Sequence, residues 1–412
     1  MDDMKAGILT IGEELLSGFT VDTNAAWIAQ KLIRAGIQVI ETSTVGDNLA
    51  AITEALERFD DRLDAVIATG GLGPTHDDIT KQAFCQYFDS ELTFDEDYWE
   101  ALVQRFNSRG YQIPENNRSQ AEVPVKAETL PNSVGSALGL KFQSPKTTFF
   151  ALPGIPREMK AIMTQEVLPR LGDHEGSAWI TIHTSGIFES ALAERLESVV
   201  AGQPDVKFAF LPDYSGVDVR LHSSVGGRPG NKLVEQAAQA VEDELGQLVF
   251  GRDGTRLEQV VVDLLTTQGH TLALAESCSG GLVSSRITDV PGASKVLLGA
   301  VVAYSNDVKV NQLGVSADTL AAFGAVSEQV AGEMAVGVRD AFDSTWGVAT
   351  TGISGPSGGT AEKPVGLVYI AVAGPAKIMI KELRLMPIRL PHKAVTAQTA
   401  LGLLRREILN HE

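Results

Sequence analysis

An α/β protein is what the 412-residue sequence predicts: a doubly wound parallel-sheet domain, a small α+β module, then a return to mixed α/β. Three observations predict it. Short apolar runs alternate with helix-spaced ones through the first third, which implies right-handed crossovers and parallel strands. After a polar stretch at 171–177, strand signals cluster with two helical segments in a short span. From 257 onward the alternation of helix and strand resumes.

The elements follow in order. Lys5 to Ile11 reads as a buried strand, and Asp22-Thr23-Asn24 caps a helix with Ala25, Ile28, Leu32 and Ile33 in register, closed by Gly36. Strands follow at 37–45 and 64–69, with a helix between them begun by Asp47 or Asn48. A strand at 147–152 and a helix at 156–168 close a first domain, 1–170. The middle module, 177–252, carries strands at 179–183, 206–211 and 217–223 and helices at 189–200 and 232–245. The last domain, 255–412, has helices at 257–268, 317–342 and 393–409 and strands at 271–275, 346–350, 365–373 and 378–385.

Composition narrows the function. With 44% hydrophobic and 21% charged residues, the chain is globular and not disordered. Its 34 Lys and Arg face 52 Asp and Glu, a net charge of −18, which repels phosphodiester backbones and argues against a nucleic-acid partner. Two cysteines, Cys85 and Cys278, exclude a disulfide framework. The first residues lack a basic and then apolar leader, and the longest nearly apolar run, Val296 to Tyr304, falls short of a bilayer span of about 20 residues. A cytoplasmic, membrane-free protein is expected.

Three Gly-rich turns carry candidate chemistry. Thr69-Gly-Gly-Leu-Gly-Pro-Thr-His-Asp-Asp78 lies between a strand and a helix. Gly70, Gly71 and Gly73 let a ligand approach the backbone, and Asp77 and Asp78 suit a hard divalent cation on phosphate oxygens. The same residues also serve as a tight turn with a helix cap. Glu13 and Asp47, in neighbouring post-strand turns, emerge on the same carboxyl edge, where ligands bind in such sheets. The second turn, Ala275-Glu-Ser-Cys-Ser-Gly-Gly281, places Ser277 as a nucleophile ahead of Gly280 and Gly281, whose amides at the helix start are expected to receive an oxyanion, with Tyr304 and Lys309 downstream as relay and base. A third, 350–359, joins the second in a polar pocket suited to a sugar phosphate; on residue types alone, ordinary loop chemistry accounts for these Ser and Gly residues better than catalysis does. Cys278 reads as buried filler, the seven histidines show no zinc spacing, and Gly227-Arg-Pro-Gly230 reads as a plain turn.

These motifs resemble the CinA family (competence/damage-inducible protein A) over essentially the whole chain. They are Gly12-Glu-Glu-Leu-Leu-Ser-Gly18, Thr44-Val-Gly-Asp-Asn48, 70–78, Pro153-Gly-Ile-Pro-Arg-Glu-Met159, 275–281, Tyr304-Ser-Asn306 with Lys309, and Gly352-Ile-Ser-Gly-Pro356. The resemblance implies a molybdopterin-binding-like first domain acting as a metal-dependent ADP-ribose pyrophosphatase, with the divalent ion's identity open. It also implies a KH-type middle module and a C-terminal nicotinamide-nucleotide amidase that needs no cofactor. It gives the chemistry to Ser277 and Lys309, with Tyr304 beside them, and puts Ser294, Thr351 and Gly352 at the substrate. A homodimer is the family expectation. The family's Gly-Asp-Arg-like segment is replaced by Arg389-Leu-Pro-His-Lys393, leaving Arg389, His392 or Lys393 to anchor substrate. The alternative reading is a non-catalytic nucleotide- or pterin-binding protein associated with competence.

Overall fold

The computed structural model describes residues 4–172, 179–214, 216–223, 225 and 227–411; most of the linker expected at 171–177 lies outside them. Two compact units result: Met1–Ala178 with Val225–Gly230, and Trp179–Ser224 with Asn231–Glu412.

In the first unit, β1 (Lys5–Ile11), α1 (Thr23–Arg34), β2 (Gln38–Val45), α2 (Leu49–Phe59) and β3 (Ala65–Thr69) form where the pattern predicts. Asp22 Oδ1 accepts from Ala25 N at 2.9 Å, and Asn48, rather than Asp47, caps α2 by accepting from Ala51 N at 3.1 Å. Then come α3 (Thr80–Phe88), β4 (Glu128–Leu130), β5 (Gly139–Gln143), β6 (Thr148–Leu152) and α4 (Pro156–Ile162). The sheet order is β2-β1-β3-β6-β5-β4. The expected doubly wound parallel sheet is present in β2-β1-β3-β6, and an antiparallel edge is added to it by β5 and β4. Only four residues, 144–147, join β5 to β6, too few for a parallel crossover. Alternate residues of β1 feed opposite cores. Ile8 packs with Ile28, Leu32 and Met159, and Leu9 with Ile52, Leu56 and Phe84. Each fully buried side chain of this kind contributes about 1.5–3 kcal/mol, which holds helices on both faces.

The second unit opens with β7 (Trp179–Thr184), α5 (Glu189–Arg195), α6 (Glu197–Ala201), β8 (Val206–Asp213), β9 (Gly216–Ser223), α7 (Gly227–Leu245, of which Asn231 onward belongs to this unit) and β10 (Val249–Arg252). They make an antiparallel sheet in the order β8-β9-β7-β10. Gly227-Arg-Pro-Gly230 is the first turn of α7 and not a separate turn; proline is tolerated there because first-turn amides have no intrahelical acceptor.

The C-terminal domain adds α8 (Leu257–Gln268), β11 (Leu272–Glu276), α9 (Leu282–Thr288), β12 (Leu297–Val302) and α10 (Asn306–Leu313). It continues with α11 (Ala317–Phe323), α12 (Glu328–Ala341), β13 (Trp346–Gly352), β14 (Leu367–Ala373), β15 (Ile378–Arg384) and α13 (Arg389–Leu409). The sheet order is β12-β11-β13-β14-β15, the first three strands parallel. The single helix expected at 317–342 is two. Gly324, with φ 68°, ends α11, and Ser327 Oγ starts α12 by accepting from Val330 N at 3.3 Å.

Candidate functional site

At the carboxyl end of β11, the strand runs directly into Ser277, whose amide donates to Thr350 O on neighbouring β13 at 2.9 Å. The chain beyond β12 is tied back by Ala303 N donating to Glu276 O at 2.8 Å. Ser305 then caps α10 by accepting from Val308 N, and the first turns of α10 place Lys309 beneath the serine. Lys309 Nζ lies 3.2 Å from Ser277 Oγ and donates to Ala303 O at 2.6 Å. Lys309 is 1% exposed and Ser277 9%. Burial pushes the Lys309 ammonium below the usual lysine range. The adjacent Cys278 thiol pulls the other way only when ionised, and burial drives that thiol up to about 12. Near neutral pH it carries no charge to offset the shift. A lysine so placed can take and return the proton of Ser277.

The turn itself is held by Glu276, a residue the sequence reading passed over. Its buried carboxylate accepts from Gly281 N (3.0 Å), Val283 N (3.0 Å), Ser284 N (2.8 Å) and Ser284 Oγ (2.8 Å). This corrects the expectation that amides at Gly280 and Gly281 receive an oxyanion. Gly281 N is spent on Glu276, and Gly280 N donates to Ser277 O at 3.2 Å. The amides of Cys278 and Ser279 face the Cys278 sulfur rather than a backbone carbonyl, and Cys278 keeps 8% exposure whereas Ser279 has none. Gly281, at φ 91°, allows the chain to turn into α9.

The other expected residues divide. Tyr304 is 64% exposed, and its hydroxyl accepts from Arg389 Nη2 at 3.0 Å, so Ala303 O rather than Tyr304 orients the lysine. Arg389 also donates to Gly355 O at 3.3 Å. Lys393 Nζ sits beside Gly280. His392 is buried, with Nδ1 2.9 Å from Ser354 Oγ. Thr351 is buried and its hydroxyl donates to Ala325 O at 2.7 Å, a carbonyl freed by the α11–α12 break. Gly352 passes too close to Leu367 O, 2.8 Å from a Cβ position, to bear a side chain. Ser294 is not brought to this site. It is exposed and precedes β12, which pairs Leu297 with Leu272 and Val302 with Glu276, so it lies at the opposite end of the sheet from Ser277.

In the first unit the turns after β1, β2 and β3 open on a cleft of about 460 Å³. Gly70, Gly71, Gly73, Asp47, Asp77 and Asp78 line it, as do Asn24, Glu14, Asp22 and Glu158, which the sequence reading missed. Gly70 is forced: a Cβ there would stand 2.0 Å from Ile11 O, and its φ is 115°. Glu13 does not line the cleft; its carboxylate turns under Gly46 while its amide donates to Asp47 Oδ2 at 2.9 Å. Asp78 Oδ2 folds back to accept from Thr75 N (2.8 Å) and Thr75 Oγ1 (2.5 Å). Asp77 is exposed and its carboxylate has no partner among the described residues. No group of three His, Cys, Asp or Glu side chains among them converges on one point. Magnesium-type cations take one or two carboxylates and complete their shell with phosphate and water. Asp77 and Asp78, which line the cleft, are the carboxylates that would hold an ion arriving with a phosphate ligand.

Family models match along the chain: a probable molybdopterin binding domain at 7–173, the damage-inducible protein CinA KH domain at 180–251 and the CinA C-terminal domain at 254–408. A CinA-like protein of Gemmatimonas aurantiaca is 41% identical over 411 residues, covering 98% of this chain and 96% of that one. The chain belongs to the CinA family. A putative competence-damage inducible protein of Alkaliphilus metalliredigens is 38% identical, covering 98% of this chain and all of its relative. The crystal structure of competence/damage inducible protein CihA from Agrobacterium tumefaciens is 40% identical over 36% of this chain and 91% of that one, with a TM-score of 0.36. A CinA-family protein thus has a KH-type module between two α/β domains, and no helix among the described residues is long and apolar enough to cross a membrane.

Proposed function

We propose that this CinA-family chain is a bifunctional hydrolase of pyridine-nucleotide recycling. Its C-terminal domain deamidates nicotinamide mononucleotide to nicotinate mononucleotide and ammonia. Its first domain splits ADP-ribose into AMP and ribose 5-phosphate. The observation that carries the amidase reading is the buried contact of Lys309 Nζ with Ser277 Oγ at 3.2 Å. A pure binding protein has no use for a desolvated ammonium against a serine hydroxyl, since burying that charge costs free energy.

In the amidase step, neutral Lys309 takes the Ser277 proton as Oγ bonds to the carboxamide carbon. The oxyanion rests on the Cys278 amide. Lys309 then gives its proton to the departing nitrogen, which leaves as ammonia and an acyl-serine. Water, deprotonated by the same lysine, releases nicotinate mononucleotide and restores the hydroxyl. Arg389 and Lys393, on the rim, supply cations for the nucleotide's phosphate. In the first domain, Gly70 to Gly73 offer close backbone approach to the pyrophosphate, and Asp77 with Asp78 would hold the divalent cation. When bound, that ion supplies charge neutralisation at the bridging phosphate.

The test is ammonia release from nicotinamide mononucleotide by the purified full-length chain, with and without chelator. Ammonia in both conditions supports the amidase. A chain that turns over neither this substrate nor ADP-ribose with added magnesium or manganese leaves the binding-protein reading in its place.

A further inference from the structure

The junction between the middle module and the C-terminal domain, both within the second unit, gathers positive charge that the catalytic reading does not use. Arg405 and Arg406 are consecutive on α13. Arg405 caps the turn before β10, donating to Gln247 O at 2.8 Å and Val249 O at 2.7 Å. Arg406 points elsewhere. Its Nη1 is 3.1 Å from the place where a Cβ on Gly186 would stand and 3.8 Å from that on Gly402. Among the described residues no carboxylate or carbonyl takes its guanidinium, because the neighbouring Glu407 is turned to Lys377 at 2.9 Å.

Two further groups face the same place. Ser185, 3% exposed, has a buried hydroxyl with no hydrogen-bond partner among the described residues, 3.1 Å from the Cβ position of Gly402. Lys381 lies on the same face of β15 as Met379 and Leu383, which pack on the core beneath α13. Burial and then the charge of Arg406 push Lys381 below its usual range, and burial does the same to Arg406. Two partly desolvated cations thus repel each other in a chain whose net charge is −18. An orphaned buried hydroxyl costs about 1–3 kcal/mol. All three defects are relieved by one occupant, a compact anion.

We propose that Arg406, Lys381 and the Ser185 hydroxyl form a binding site for a small phosphate-class dianion, inorganic phosphate or the phosphate of a small ester, at this junction. Two positive charges match a dianion better than a carboxylate. The guanidinium presents paired donors to two oxygens, the ammonium and the hydroxyl serve others, and Gly186 leaves the approach free of a side chain. The site lies between the last helix and the loop after β7, so its filling ties the middle module to the C-terminal domain.

The experiment is thermal unfolding of the full-length chain in phosphate-free buffer with added phosphate, or acetate as the monoanion control, for wild type, Arg406→Gln, Lys381→Gln and Ser185→Ala. Crystals soaked in tungstate locate the anion. Phosphate is expected to raise the wild-type Tm by about 3 °C, acetate much less, with tungstate density between Arg406 and Lys381. Without phosphate, Arg406→Gln and Lys381→Gln should be at least as stable as wild type, since repulsion is removed. Their response to phosphate should fall by half or more. An unchanged response in Lys381→Gln overturns the site even if Arg406→Gln fails to fold. So does tungstate bound only at Asp77 or Ser277, or an acidic side chain of a second copy filling the junction.

Discussion

The first two Gly-rich turns are alike in sequence and opposite in environment. Both follow a parallel strand, both precede a helix and both use glycines at positive φ, Gly70 and Gly71 in one and Gly280 and Gly281 in the other. Yet Ser277 and Lys309 are nearly inaccessible, whereas Asp77 is exposed and the acids around it are spread along an open cleft. In the closed turn a carboxylate, Glu276, consumes the helix amides and a lysine is stripped of water. In the open one Asp78 caps its own loop and Asp77 faces solvent. The lesson is that the turn supplies geometry while burial sets reactivity. A dry turn can shift a lysine toward neutrality, and a wet one leaves carboxylates open to a cation.

The contrast breaks first at the dyad. Ser277→Ala and Lys309→Arg should each lower ammonia release by roughly 10³-fold or more while ADP-ribose turnover stays near wild type. Retention of most of the rate by Lys309→Arg would mean that another group deprotonates the serine. In the wild type, activity should climb with pH through a value below the ordinary ~10.4 of lysine, because only neutral Lys309 is a base.

Glu276→Gln tests whether the turn is pinned. Gln offers one acceptor and one donor where three amides and a hydroxyl need acceptors, so kcat should drop by about 10²-fold with KM changed little. A change confined to stability, with kcat intact, would reduce Glu276 to a helix cap.

Lys309→Met should stabilise the chain at pH 7 by about 2 kcal/mol as it abolishes activity, because a buried charge is removed. With the native value lowered, the native state holds fewer protons than the unfolded one between the two values. Wild-type stability therefore rises with pH across that window, and the advantage of Met should shrink as measured by urea melts at increasing pH.

In the open cleft the expected effects are smaller. Asp77→Asn should weaken the magnesium dependence of ADP-ribose turnover about 10-fold. Asp78→Asn should cost about 1 kcal/mol of stability through its lost bonds to Thr75. The reverse pattern would exchange their roles.

Smallest is a pH effect remote from both turns. His183 Nδ1 lies 2.7 Å from Asp218 Oδ1, and Nε2 faces Asp253 O. With both nitrogens against acceptors, chiefly Asp218, its pKa is raised. That stabilisation is complete below about pH 6.5 and is lost as pH rises through the raised value. His183→Gln should cost about 0.5–1 kcal/mol at pH 6 and almost nothing at pH 9. Equal losses at both would show that the ring acts by packing.

The sequence by itself determined the repeating strand and helix pattern, since apolar spacing and caps such as Asp22 and Asn48 are local. It determined as well that Ser277 and Gly70 stand in post-strand turns, because strand, glycine and helix signals are contiguous there. It could not show the antiparallel edge at β5 and β4, the break at Gly324 or the strand character of 297–302, where pairing partners decide. Nor could it show that Glu276 takes the amides of α9, that Ala303 and not Tyr304 orients Lys309, or that Ser294 falls at the far end of the sheet. Those depend on which side chains meet across tens of residues, and on how much water is left between them. Only packing fixes either, because hydrogen-bond partners and the local dielectric are properties of the assembled fold, not of spacing along the chain.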